Sequence, residues 1–324
     1  MRESEDRPHR RIAVVAEAFL DRTLPELLAW LTEAAPEVSA VELGSGGYAP
    51  HPHCDRALLL RSQDARRDLA QELDRGGFQI AALNAWGNPL HSDPRIAARH
   101  DRDLRETIRL AAPIGVDRVI ALAGCPAAHR HDRVPHFAAG GWLPYLEGVY
   151  EEQWERRVAP YWSSISEFAR IADPELRVCV ELHPGTAVYN VETFNRLAAL
   201  GDNLAANVDP SHFFWQRMDT EAIMRTLGDR VAHVHAKDVV FNPEVLGLQG
   251  LLDHRWPGPT AKVPWKFASV GDGHDADWWA RFAALTESTA VRAIAIEHED
   301  PDVAPEIGVP AAARLLSSSV EVAA

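Results

Sequence analysis

Short apolar runs recur along the chain, and each gives way to a polar turn and then to a stretch whose apolar residues return at spacings of three and four. The runs are RIAVVAEAF from Arg11, AVELGSGG from Ala40, FQIAALNAWG from Phe78, DRVIALAG from Asp117, RVCVELHPG from Arg177, LAANVDPSH from Leu204, VAHVHAKDV from Val231 and VRAIAIEHED from Val291. Continuous apolar runs suit strands buried on both faces. The segments between them, such as DARRDLAQELDR, carry charges between their apolar positions as amphipathic helices do. Strands alternating with helices argue for parallel βαβ units. Eight units predict an α/β fold, a single (β/α)8 TIM barrel over residues 11–324 behind a flexible N-terminus of residues 1–10.

Two connections are too long for plain loops, and both follow strands. One follows strand four and carries His129, His131, His136, Phe137, Trp142 and Tyr145; the other runs from Val239 to about Asp275 after strand seven. Ordered loops of this length usually serve as lids or binding loops, and on a barrel they overhang the catalytic face. The net charge of −14 argues against a nucleic-acid partner, which needs clustered Lys and Arg. Three cysteines without a CxxC pair indicate neither a disulfide framework nor a zinc ribbon, and a reducing cytoplasm fits them. The N-terminal apolar run is too short for a signal core or a spanning helix, so a soluble cytoplasmic protein without a membrane partner is expected.

Barrel chemistry sits where the strands end. The last four strands end in ELHP, DPSH, HVHAKD and EHED, which places Glu181, Asp209, His235 and Glu297 at consecutive strand ends. Three carboxylates and an imidazole brought to one point repel unless a cation neutralises them. Oxygen-rich ligation with one nitrogen favours Mn2+, with Mg2+ or Co2+ as substitutes, over structural zinc. Each residue alone has a plainer reading: Glu181 paired with an arginine, Asp209 as a helix cap, His235 as a satisfied core histidine. Four in register would require that plain explanation four times over.

The elements ELHPG, NVDPSH, HVHAKD and IEHED resemble the strand-end motifs of the xylose isomerase-like TIM-barrel superfamily of sugar isomerases and epimerases. The resemblance implies Glu181, Asp209, His235 and Glu297 as metal ligands, with His183, His212 and Lys237 around a sugar substrate. VYNVETFNRL, ANVDPSHFFWQ, GLLDHR and VGDGHDADWW are further similar to the branch containing the large subunits of C-glycoside deglycosidases. That narrower likeness implies a lyase of 3-oxo-glycosides, oligomeric and working with a small β-sandwich partner subunit.

Isomerisation, epimerisation and elimination from a keto sugar share one first step, removal of a proton beside a carbonyl. The expected catalytic residues are Glu181, Glu297, His212 and Lys237, with His136 of RVPHF as the extra base that C-glycoside cleavage requires. The plain alternative for Lys237 is a solvated lysine paired with Asp238, and for His136 a surface histidine. Trp86 and Trp215 stand at expected strand ends, where either faces a sugar or packs in the core. HPHCDR at His51 reads as a loop, and DWWARF as a helix start capped by Asp275 or Asp277. Cleavage of a 3-oxo-C-glycoside is the first expectation and isomerisation or epimerisation of a free keto sugar the second. A DNA-repair endonuclease on the same barrel would need more histidines: strands two and four end in LGSGG and LAGCP.

Overall fold

The computed structural model describes residues 11–48, 50–139, 142–253 and 262–323. The expected flexible N-terminus and the end of GLLDHR lie outside the described residues. Eight parallel strands close into a barrel: β1 (Arg11–Val15), β2 (Val38–Gly44), β3 (Gln79–Asn84), β4 (Arg118–Leu122), β5 (Arg177–Glu181), β6 (Leu204–Val208), β7 (Val231–Ala236) and, after an inserted hairpin of β8 (Asp238–Phe241) and β9 (Trp265–Ala268), β10 (Ala293–Ile296). Closure is made by β1 against β10, with Ala13 opposite Ala295 and Val14 opposite Ile296.

Helices begin where the sequence supplies caps. Thr23 and Glu26 form a reciprocal capping box at α1 (Leu24–Ala34), an arrangement that contributes about 1 kcal/mol. Short helix α2 (Arg56–Arg61) starts at Asp55 and α3 (Gln63–Gly76) at Ser62. Asp93 caps α4 (Pro94–Ala111), whose first residue is a proline that has no N–H to leave unpaired. After α5 (Val149–Gln153) comes a π-helical turn, Trp154–Val158, and then α6 (Ala159–Ala172). The outer ring is completed by α7 (Val191–Ala198), α9 (Thr220–Leu227), α11 (Ala276–Thr286) and α12 (Pro305–Ala323), while a single turn α8 (Ser211–Phe214) follows β6 and α10 (Pro243–Gln249) lies within the hairpin insertion. Asp275, not Asp277, caps α11 by accepting from the Trp278 N–H, and Trp279 is buried. Among the described residues, no helix is long and apolar enough to cross a membrane.

The apolar core lies mainly between strands and helices and includes Phe19, Trp162, Phe194, Phe213 and Phe282. Inside the barrel the filling is smaller: Ala13, Val15, Ala40, Ala293 and Ala295 in one cluster, and Ala82, Ile120, Cys179, Ala205 and Ala232 in another. Trp86 packs against both. Small residues there leave room above for polar side chains on the same inward faces, two residues further along each strand.

The two long insertions are built differently. After β4, the buried Gln153 amide donates to the carbonyls of Pro126, Ala127 and His136, at 3.1, 3.1 and 2.8 Å. One glutamine thus fastens the base of that loop. After β7, the connection expected to be one long loop contains an antiparallel hairpin, with Val239 opposite Phe267 and Phe241 opposite Trp265. Buried Asp238 takes the backbone N–H groups of Gly271, Gly273 and His274 on one carboxylate oxygen and the His274 ring on the other.

Candidate metal centre

Glu181 on β5, Asp209 just past β6, His235 on β7 and Glu297 just past β10 converge at the C-terminal mouth, each offering one ligand atom, all within 4.8 Å of one another. All four are buried. Their inward direction follows from alternation: Cys179 and Ala295 fill the barrel one inward position earlier on β5 and β10, and Ala205 two inward positions earlier on β6.

His235 is held from below. Its Nε2 lies 3.2 Å from Glu42 Oε2, the oxygen that His233 Nε2 reaches at 2.7 Å, while the Asn84 amide donates to Glu42 Oε1 at 2.8 Å. That carboxylate fixes Nε2 as a donor and turns Nδ1 toward the cluster, 3.1 Å from Glu297 Oε2 and 3.1 Å from the Asn207 amide nitrogen. Burial works against charge on Glu42, but the two imidazoles outweigh it and hold the carboxyl well below the usual range. Burial likewise opposes protonation of His235, yet Glu42 and Glu297 raise its affinity for a proton. Glu42 and His233 escaped the strand-end census because they lie within β2 and β7, and Asn84 because it ends β3, ahead of the last four strands; inward alternation is the signal that finds them.

Lys237 is buried, which removes the reading of a solvated lysine. Its ammonium lies 3.0 Å from Asp209 Oδ2, 3.0 Å from Glu297 Oε2 and 2.9 Å from Glu299 Oε2, above the Phe267 ring. Asp238, its sequence neighbour, points the other way into the loop. Burial disfavours the ammonium, but Asp209, Glu297 and Glu299 keep it charged. In turn burial would raise the Asp209 carboxyl, and Lys237 with His212 holds it low instead. Glu181 and Glu297 are raised, chiefly by burial.

His212 Nε2 sits between Glu181 Oε1 at 3.1 Å and Asp209 Oδ2 at 3.3 Å, and its ring packs against His183 at 4.1 Å between centroids. Burial pushes both histidines down to about 4, so at neutral pH they act as uncharged donors and acceptors. Trp86 meets His235 edge-on at 5.7 Å, with its Nε1 buried and without a hydrogen-bond partner. Trp215 follows the short helix α8 instead of ending a strand, and it is stacked on Trp265 of the hairpin at 5.0 Å. His136 lies in the loop fastened by Gln153, its Nε2 buried and unpartnered. Among the described residues no hydrogen bond or ion pair joins it to the four-residue cluster. A cavity of about 520 Å3 opens under this loop, lined by Pro126, His129, Arg130, Gln153 and Arg157, and none of the four cluster residues lines it.

The cluster fits a divalent cation. Three carboxylates and one imidazole form a hard, oxygen-rich donor set. Asn207 Oδ1 and Ser211 Oγ are buried there without hydrogen-bond partners, and buried polar atoms left in that state are costly unless something else engages them.

The profile described as xylose isomerase-like TIM barrel matches residues 39–319. The uncharacterized protein YfiH of Bacillus subtilis (strain 168) is 32% identical over 288 residues, covering 87% of this chain and 91% of that protein. Among solved structures, an L-ribulose 3-epimerase aligns with a TM-score of 0.61 at 13% identity, covering 97% of this chain and 95% of its own. The 3-keto-D-glucoside 4-epimerase YcjR of E. coli aligns with a TM-score of 0.60 at 11% identity, covering 96% and 98%. At such identities the structural likeness speaks for the fold. The family match, over residues 39–319, establishes that this chain belongs to the xylose isomerase-like TIM-barrel family.

Proposed function

We propose that the protein is a metal-dependent enzyme that removes and returns a proton beside the carbonyl of a keto sugar, epimerising or isomerising it. The observation that carries this reading is the buried convergence of Glu181, Asp209, His235 and Glu297 at the mouth. A divalent ion held by these four, Mn2+ by preference, supplies electrostatic stabilisation of negative charge on the sugar oxygens. Glu181 and Glu297 project from strands on different sides of the mouth, so one carboxylate can take a proton from one face of the sugar while the other serves the opposite face. His212, neutral and bonded to Glu181, relays a proton or holds a hydroxyl. Lys237 keeps the acid cluster from repelling itself and places a fixed positive charge beside the developing oxyanion. The epimerase neighbours, named for L-ribulose and a 3-keto-D-glucoside, suggest the substrate class.

A second reading, the large subunit of a lyase that cleaves 3-oxo-C-glycosides, is favoured by the two insertions. The His136 ring in the first has an unpartnered nitrogen suited to a phenol proton. Trp142 and Tyr145 in the first and Leu248 and Leu252 in the second are at least 75% exposed, as a surface covered by a small β-sandwich subunit would be.

Product analysis in D2O separates the readings. The Mn2+-loaded protein is given L-ribulose, D-psicose and a 3-keto-D-glucoside, and separately a 3-oxo-C-glycoside with and without a co-expressed small subunit. Deuterium entering beside the carbonyl with a new epimer supports the first reading. Released aglycone supports the second, and neither product together with no bound metal would sink both.

A further inference from the structure

The half of the mouth built by β1, β2 and β3 holds an acid that the proposed mechanism does not use. Ala13 and Val15 face the barrel interior, and Glu17 follows two positions later in the short 3-10 turn Ala16–Phe19. Its Oε1 lies against the Cα of Gly44, where any Cβ would collide with it. Gly44 is two residues beyond Glu42 on β2 and shares its inward face. The Glu17 carboxyl therefore occupies the place a side chain at position 44 would take, one layer nearer the opening than the Glu42–His235 pair. Oε2 is buried without a hydrogen-bond partner, although the residue as a whole is partly exposed. The charged groups that act on the carboxyl are Glu42, Glu297 and His235, so it lies on the cluster's side of β1.

The strand order puts β1 beside β10 and directly across the barrel from β5. A sugar lying over the four-residue cluster would reach from Glu181 on one side to Glu17 on the other. We propose that Glu17 is a further substrate-contacting residue, a carboxylic acid that donates a hydrogen bond to a sugar oxygen on the side of the mouth opposite Glu181. Oε2 is the carboxyl oxygen left without a protein partner, and a buried polar atom in that state costs stability, so a fold that keeps one is serving a ligand. The groups facing it are Glu42 on β2, Glu297 on β10 and His235 on β7, with His51 backing Gly44 and the Cys54 thiol nearby. Burial, and then the Glu42 charge, push the carboxyl up to about 8, which keeps its proton in place at neutral pH.

The inference rests on the proposed keto-sugar chemistry, and one set of titrations tests both. Calorimetric binding of L-ribulose, D-psicose and a 3-keto-D-glucoside is measured on the Mn2+-loaded full chain, wild type, Glu17→Gln and Glu17→Ala, with melting temperatures alongside. For a sugar that wild type binds, Glu17→Ala should weaken binding ~10–100-fold, the range of one lost hydrogen bond to a strong donor. Glu17→Gln, which keeps an N–H donor, should recover most of that. Wild-type affinity should fall as pH rises past about 8, while the Gln variant stays flat, a difference that titration of His235 or Glu297 cannot produce. Both variants should melt at or above the wild-type temperature. Unchanged sugar binding in Glu17→Ala overturns the inference, and lowered melting temperatures in both variants with parallel pH profiles do the same, by making the residue structural. If wild type binds none of the three sugars, the proposed function fails; the melting temperatures then decide Glu17 alone, a rise upholding a ligand-facing acid and a fall overturning it.

Discussion

The two halves of the barrel mouth are charged in different ways. On the side of β5, β6, β7 and β10 the acids have basic neighbours: Glu181 meets His212, Asp209 meets Lys237 and the Ser211 N–H, and Glu297 meets His235 and Lys237. On the side of β1, β2 and β3, Glu42 is fully engaged at depth, but Glu17 Oε2 and Trp86 Nε1 nearer the opening have no hydrogen-bond partner. A self-compensated half can hold an ion and tune bases. A half with unspent donors is free to read a ligand.

The largest effect should come from breaking the compensated half. Glu181→Gln or Glu297→Gln should cut kcat by roughly a hundredfold to ten-thousandfold, the usual worth of a positioned acid–base group, and Asp209→Asn or His235→Ala should also abolish stoichiometric Mn2+ binding. Metal analysis after dialysis, with circular dichroism to verify the fold, checks both; full occupancy in any of these variants removes that residue from the ligand set. Next in size is Glu42→Gln, which touches the cluster only through His235. It should weaken Mn2+ affinity ~10–100-fold, as loss of an outer hydrogen-bond partner does, and an unaltered calorimetric isotherm would show that His235 needs no such support.

Gln153→Ala acts on a loop and leaves the mouth itself alone. Three carbonyls lose their donor, at a cost of about 1–3 kcal/mol, and hydrogen exchange should quicken over residues 126–136 while Mn2+ binding stays put. A separate expectation concerns the pH dependence of stability. Folded Glu17 keeps its proton up to about 8, whereas the unfolded chain releases it near 4.5. Over that interval the folded state binds more protons, so this residue makes stability fall as pH rises from about 4.5 to about 8 and level off beyond. Glu17→Gln should flatten that slope in denaturant titrations; an identical slope would mean the acid titrates normally.

The barrel was legible because eight apolar runs are separated by amphipathic stretches, and local periodicity is a short-range signal. The four cluster residues were legible because each sits where such a run meets its turn. Glu42 was not, since AVELG reads as one apolar run and only its inward parity sets the glutamate apart. Glu17 was hidden in the same way, inside RIAVVAEAF, where strand passes into a 3-10 turn without a break in composition. The β8–β9 hairpin depends on pairing Phe241 with Trp265 across a segment containing several prolines and glycines, a non-local match that no window of periodicity detects. Pairing Lys237 with Asp238 failed for a simpler reason: at the junction of β7 and β8 the two adjacent side chains go opposite ways, one to the acid cluster and one to the loop from Gly271 to His274.

That opposition at residues 237 and 238 also bears on how the scaffold can be remodelled. One residue serves the acid cluster and the next anchors the returning chain from Gly271 to His274. Shortening the second insertion would strip Asp238 of those donors and leave a buried carboxylate one peptide unit from the mouth. Anyone grafting a different loop onto this barrel to change its specificity must therefore exchange residue 238 along with the loop, treating strand end and insertion as a single inherited cassette.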